Sequence, residues 1–146
     1  MISDKKLNFM KAAYAEANKA YEKQEVPVGA VVVYDDIIIA RAHNLTETLS
    51  DPTAHAEMQA ITAATAWLGG KYLNECTIYV TLEPCAMCAA AIGWSQAGKL
   101  VYGADDDKKG FLSISKSLLH PKTRVESGVM EKECREILLK FFKTKR

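Results

Sequence analysis

A chain of 146 residues and 16.1 kDa is of single-domain size, and its 49% hydrophobic and 25% charged residues exclude disordered, collagen-like and coiled-coil classes. No apolar run approaches the roughly 18 residues of a membrane helix, and the opening Met-Ile-Ser-Asp-Lys-Lys leads into no apolar secretory segment. A cytoplasmic, reducing setting is therefore expected for the four cysteines, and the 19 basic against 18 acidic residues, net +1, indicate no polyanionic partner by themselves. Residues 4–23 predict an amphipathic helix, with Leu7, Met10, Ala13, Tyr14, Ala17 and Tyr21 at three- and four-residue spacing. Glu25-Val-Pro-Val-Gly29 breaks it. Residues 30–34 and 37–41 are apolar runs around an Asp35-Asp36 turn, a hairpin whose nearly continuous apolarity suits strands covered on both faces. Residues 44–53 read as a polar loop, and 55–68 as an alanine-rich helix ending at Gly69-Gly70. A strand over 77–82 follows, then a second alanine-rich helix over 84–97 stopped by Gly98. Residues 99–102 form a strand and 103–110 a loop. Residues 111–128 read as irregular or short helix, and 130–143 as a last amphipathic helix through Met130, Cys134, Ile137, Leu138 and Phe141. This order signals one α/β domain over residues 1–146, with helices on both faces of a mixed sheet.

The charge balance is uneven along the chain. Residues 140–146 carry four cations and no anion, while the rest holds 15 basic and 18 acidic groups, a net of −3. A basic tail on a slightly acidic body points weakly to nucleic-acid contact. Solvation of a helix end, whose dipole cations complement, accounts for it equally well.

The residues that carry chemistry are His55-Ala-Glu57 and Glu83-Pro-Cys85-Ala-Met-Cys88. Cys85 and Cys88 stand at i and i+3 of a helix start, so their thiols face one way. The positive helix end favours the thiolate, the form that binds metal. With His55 at the start of another helix, the ligand set favours zinc. Three protein ligands are the mark of a catalytic ion, whereas a structural ion usually has four. Cys76 is in phase with Ile78 and Val80 on a strand, and Cys134 lies on the apolar stripe of the last helix, so both read as core. His43 and His120 fall in loop-like positions and stay open as a fourth ligand. Two thiolates and a neutral imidazole leave zinc formally neutral, so water there would benefit from an adjacent base, and Glu57 is supplied by the same segment. On a regular helix, positions i and i+2 lie about 200° apart, so His55 and Glu57 share a site only if His55 sits at the helix end.

The His-x-Glu…Pro-Cys-x-x-Cys pattern is the signature of zinc deaminases. Around it, Glu25-Val-Pro-Val-Gly-Ala-Val-Val-Val33, Asn44, Asp51-Pro-Thr-Ala-His-Ala-Glu57, Tyr79-Val-Thr-Leu-Glu-Pro-Cys-Ala-Met-Cys88 and Val101-Tyr-Gly-Ala104 closely resemble the bacterial tRNA-specific adenosine deaminase family. The resemblance runs from about residue 5 into the last helix. It implies a cytidine deaminase-like three-layer α/β/α sandwich around a mixed five-stranded sheet. It also implies hydrolytic conversion of the wobble adenosine of a tRNA anticodon to inosine, by a homodimer whose two subunits both contact the stem-loop. Residue by residue, it places one Zn2+ per chain on His55, Cys85 and Cys88, with a zinc-activated water as nucleophile and Glu57 as proton shuttle. Asn44 would read the edge of the flipped base, and backbone N–H groups around residues 83–85 would help position the attacking oxygen.

Asp105-Asp-Asp-Lys-Lys-Gly110 aligns with an RNA-contacting loop of the family, Asp106 with its aspartate. Three acids together repel phosphate, so a ribose hydroxyl is the expected contact of Asp106. Phe111-Leu-Ser-Ile-Ser115 stands where the family has a small-residue stretch. Lys108, Lys109, Lys140, Lys143, Lys145 and Arg146 are the candidate phosphate contacts. Phe141 and Phe142 are expected to pack the helix, and Trp94 to lie in the core or a dimer interface. A deaminase of a free base or nucleotide, such as guanine, cytosine, cytidine or deoxycytidylate, would need the same four site residues. The run Gly103-Ala-Asp105 and the basic tail favour tRNA over it. A non-catalytic zinc or RNA-binding module would have no use for Glu57.

Overall fold

The computed structural model describes residues 3–145. Its elements are α1 (Asp4–Glu22), β1 (Gly29–Tyr34), β2 (Ile37–His43), α2 (Ala56–Leu68), β3 (Cys76–Leu82), α3 (Ala86–Ser95), β4 (Lys99–Ala104), β5 (Arg124–Glu126) and α4 (Glu131–Thr144), with short 3-10 turns at Phe111–Ser113 and Lys116–Leu118. The strands form one mixed sheet in the order β2-β1-β3-β4-β5. The β1–β2 and β1–β3 pairs are antiparallel, and β3–β4 and β4–β5 are parallel.

Strand alternation divides the core between the two faces. Ala30, Val32, Ile78, Val80, Leu100 and Tyr102 point to one side, where Ala56, Ala60 and Ala64 of α2 and Ala89 and Ile92 of α3 cover them. Val31, Val33, Tyr79 and Val101 point to the other, against Met10 and Ala13 of α1. Small residues on both covering helices let them seat close to the sheet. The approach of α1 is closest at Gly29, where an added Cβ would collide with the Ala13 carbonyl oxygen and the Ala17 amide. Gly29→Ala is therefore expected to cost about 1–3 kcal/mol of overpacking, read as a lower urea midpoint. An unchanged midpoint would show that α1 shifts without penalty.

The strand register positions the site. Gly29 pairs with His43, Ala30 with Val80, and Leu82 with Ala104. The start of β1 and the ends of β2, β3 and β4 thus meet at one end of the sheet. The segments that leave them, carrying Asn44, residues 83–85 and residues 105–106, share one rim.

Several sequence expectations need correction. The stretch 111–128 contains a strand, β5, whose three residues Arg-Val-Glu carry no apolar alternation and gain their state only by pairing with β4 at the sheet edge. The helix expected over 84–97 spans Ala86–Ser95, because Gln96 adopts the left-handed cap at φ 56°. The hairpin is covered on both faces only along β1, since β2 is an edge strand and leaves Ile37 and Arg41 exposed. His43 is no loop residue: it ends β2, buried, with Nδ1 2.8 Å from Glu16 Oε1 and Nε2 3.0 Å from Lys23 Nζ. The Lys23 ammonium can only donate, so Nε2 accepts and Nδ1–H donates to Glu16. Trp94 is not core, being 84% exposed.

Candidate active site

Two helices point their N-termini at the rim. His55 is the N-cap of α2 in extended conformation (φ −72°, ψ 155°), and Cys85 is the N-cap of α3 (φ −71°, ψ 174°); neither side chain caps its own helix. A position usually held by Ser or Asp here carries a group whose donor atom is left free of the helix cap. Cys88, one turn on, is buried behind Cys85. Because His55 stands outside the helical turn, the 200° separation of a regular helix does not apply, and Glu57 shares its cleft.

The donor set fits a zinc ion. In a tetrahedral site with Zn–N near 2.0–2.1 Å and Zn–S near 2.3 Å, nitrogen and sulfur ligands stand roughly 3.6 Å apart. His55 Nδ1 lies 3.7 Å from Cys85 Sγ and 3.4 Å from Cys88 Sγ, and the three ligating atoms lie within 4.8 Å of one another. Among the described residues no fourth His, Cys, Asp or Glu joins them. Neither His43, held by Glu16 and Lys23, nor His120, whose Nδ1 accepts from the Lys122 amide, is a fourth ligand. Cys76 and Cys134 are buried in the core.

The ionisable groups of the site shift one another's proton affinity. The Cys88 thiol donates toward Cys85 and holds its pKa down at about 4, with the His55 imidazole adding to the effect against burial. Cys88 in turn is pushed up, since its proton is held by Cys85 and burial penalises its charge. The imidazole of His55 is raised chiefly by its hydrogen bond to Cys85. Glu57 is only 3% exposed. Burial pushes its carboxyl up to about 7, opposed by its own backbone amide and by His55. A carboxyl near neutrality both takes and gives a proton at little cost.

These groups open into a cleft of about 620 Å³, within the usual range for a small-molecule site. Val26, Val28, Leu82 and Ala104 form apolar wall, and Asn44, Glu57 and Glu83 supply polar groups. Asn44 is buried, its amide donating to the Val28 carbonyl at 3.1 Å and its Oδ1 3.4 Å from the Thr46 amide. Asp106, Lys108 and Lys109 also line the cleft. Asp106 Oδ1 accepts from the Lys108 and Lys109 amides at 3.1 and 3.0 Å, so that carboxylate first shapes its own turn. The Glu83 amide donates to Ala104 and Pro84 has none, so of the amides expected to face the attacking oxygen only that of Cys85 is left.

Of the tail cations, Lys145 lines a groove that shares Val26, Thr46 and Phe142 with the cleft. Lys140 lies over the Tyr21 ring at 5.1 Å, and Lys143 is in the last turn of α4. Arg146 lies outside the described residues. The two phenylalanines divide. Phe141 packs edge-on to Tyr21, as expected. Phe142 is 49% exposed on the cleft wall.

Besides Glu16, two buried glutamates that hold the loops of the rim escaped the sequence reading. Glu83 accepts from the Asp106 and Leu112 amides, both at 3.0 Å, and an added Cβ on Gly110 would collide with its Oε2. It ties the 105–112 loop to the ligand segment, and Phe111, fully buried and edge-on to Tyr102, anchors that loop in the core. Glu25 holds the loop beyond Asn44. The signal for each was a lone carboxylate next to an apolar strand run.

The chain matches the MafB19-like deaminase family over residues 4–146. It is 49% identical over 140 residues to the tRNA-specific adenosine deaminase of Bacillus subtilis, covering 92% of this chain and 87% of that one. It is 46% identical over 144 residues to the enzyme of that name from Agrobacterium fabrum, covering 95% of each. Among solved structures, one from a study of A-to-I editing by tRNA:A34 deaminases at the wobble position superposes with a TM-score of 0.83 at 46% identity, over 90% of this chain and 99% of that one. The fold is thus the cytidine deaminase-like α/β fold of these neighbours.

Proposed function

The chain belongs to the MafB19-like deaminases, alongside the tRNA-specific adenosine deaminases, and from that premise we propose that it hydrolyses the 6-amino group of the wobble adenosine in a tRNA anticodon, giving inosine and ammonia. One deaminase domain over residues 1–146 performs the reaction. The observation that carries the reading is the burial of Glu57 in the same cleft as His55, Cys85 and Cys88.

His55 Nδ1 and the sulfurs of Cys85 and Cys88 hold one zinc ion per chain. Bound there, zinc supplies a Lewis acid that makes water nucleophilic near neutral pH. Glu57 moves the protons: its carboxylate takes one from the attacking water and hands it to ring nitrogen 1, then takes the second from the hydroxyl now on carbon 6 and hands it to the amine, which leaves as ammonia. The N-termini of α2 and α3 stabilise the two thiolates. Val26, Val28 and Leu82 exclude bulk water around the adenine ring. Asn44 binds the edge of the base through its carboxamide, and Asp106 binds a ribose hydroxyl. Lys108 and Lys109 on the rim, and Lys145 in the adjoining groove, meet the phosphates of the anticodon stem-loop.

The reading includes a homodimer. Met87, Ala90, Ala91 and Trp94 leave an apolar stripe open on α3, with the Trp94 ring almost wholly exposed, and such surface is a mark of association. Among the described residues no helix is long and apolar enough to cross a membrane. Action on tRNA places the enzyme in the cytoplasm.

The test offers the zinc-loaded protein an anticodon stem-loop with adenosine at the wobble position, beside guanine, cytidine and deoxycytidylate. Inosine is expected in the stem-loop and no change in the free compounds. Turnover of a free base with an untouched stem-loop would overturn the tRNA reading and leave the deaminase chemistry standing.

A further inference from the structure

Glu25 follows the end of α1, after Gln24 has reversed the chain at φ 63°, and precedes the apolar Val26-Pro27-Val28 that borders the cleft. Its side chain is fully buried. A carboxylate in that position needs donors, and the structure brings them all from one place. Oε1 faces the Glu47 amide at 3.1 Å and the Thr46 hydroxyl at 3.5 Å; Oε2 faces the Thr48 amide at 2.6 Å and the Thr48 hydroxyl at 2.7 Å. None of these donors belongs to a helix or strand. They are the residues that follow Asn44.

The loop is tied on its other side as well. The Asn44 backbone amide donates to the carbonyl of Val28, three residues beyond Glu25, and Gln59 of α2 donates to the His43 carbonyl at 2.8 Å. The Asn44 backbone is therefore held by the sheet and α2. Its carboxamide faces the Thr46 amide, and Thr46 is held in turn by Glu25. From this chain of contacts we propose that Glu25 is a positioning residue for the deamination: its carboxylate clasps residues 46–48 and thereby sets the Asn44 carboxamide at the cleft wall for the edge of the target base.

The chemistry of the clasp calls for a carboxylate. All four partners can donate, and two of them are backbone N–H groups that can do nothing else. Glutamine has the same shape, yet it would turn an N–H toward one of those amides. Aspartate keeps the charge but is one methylene too short to reach both Thr46 and Thr48. The inference rests on the proposed deaminase reading, in which Asn44 touches the base and Glu25 does not.

A double-mutant cycle tests it. Wild type, Glu25→Gln, Asn44→Ala and the double variant are each zinc-loaded and assayed on the anticodon stem-loop, with zinc content, melting and amide exchange measured alongside. Glu25→Gln is expected to retain zinc, to exchange faster at Glu47 and Thr48, and to lose about tenfold in kcat/KM. In the Asn44→Ala background the same change should cost less than about twofold, because the residue it acts through is gone. Independent losses that multiply, or an unchanged kcat/KM for Glu25→Gln, would overturn the proposal. If Glu25→Gln fails to fold, Thr48→Val, which removes a single hydroxyl donor, runs the same cycle with the same two outcomes. A wild type inactive on the stem-loop but active on a free base would instead overturn the tRNA reading, and the cycle would then be run on that base.

Discussion

Glu57→Ala is expected to keep about one zinc per chain and to lose turnover by about 10²- to 10⁴-fold, the contribution of a positioned general acid–base. The separation of the two properties follows from geometry. The three ligating atoms lie within 4.8 Å of one another without Glu57 among them, so removing its carboxylate leaves the donor set whole. Metal analysis beside a single-turnover assay checks both halves. A variant that lost its zinc would make Glu57 part of the metal site, and one that kept its activity would remove it from proton transfer.

Cys88→Ser should behave in the opposite way. Its volume is close to that of cysteine, so the buried position is not emptied, yet the hydroxyl does not ionise as a thiolate. Zinc is expected to fall well below one per chain and deamination to reach background. A ligand that binds only the folded state at about 1,000 times its dissociation constant stabilises that state by about 4 kcal/mol. For a chain of this length that is a fall in Tm of roughly 10 °C. A strong chelator should impose the same fall on the wild type and none on Cys88→Ser. Equal Tm values for chelated and loaded wild type would mean that the ion adds nothing to the fold.

The His-Cys-Cys cluster was legible in the sequence because its spacing is short-range. Cys85 and Cys88 share a face by helix geometry alone, and the requirement that His55 stand at a helix end is met by its extended N-cap conformation. Asn44 and Asp106 were legible only through resemblance to a known family, and the structure brings both to the cleft lined by Glu57. Glu25 and Glu83 were not found. Their partners are backbone amides 22 to 29 residues away in sequence, and a backbone amide leaves no mark on a sequence pattern. The strand over Arg124–Glu126 was missed for a related reason: an edge strand of three polar-flanked residues takes its state from β4. Trp94 shows the converse: the sequence left it to the core or a dimer interface, and placing the helix removes the core, because its outer face is open.

By itself the sequence determined an α/β layer order, two alanine-rich helices thin enough to seat on a sheet, and a His-Cys-Cys set with a carboxylate two residues from the histidine. Periodicity and short spacing carry that information, because they act within one helix or strand. Only the tertiary structure decided that the start of β1 and the ends of β2, β3 and β4 meet at one rim, so that the loops bearing Asn44 and Asp106 flank the metal-ligating groups. It also decided that His43 is spoken for by Glu16 and Lys23, and that a buried glutamate pins each of those loops. Those are consequences of strand register and of how buried charge finds its donors, which are relations between distant segments.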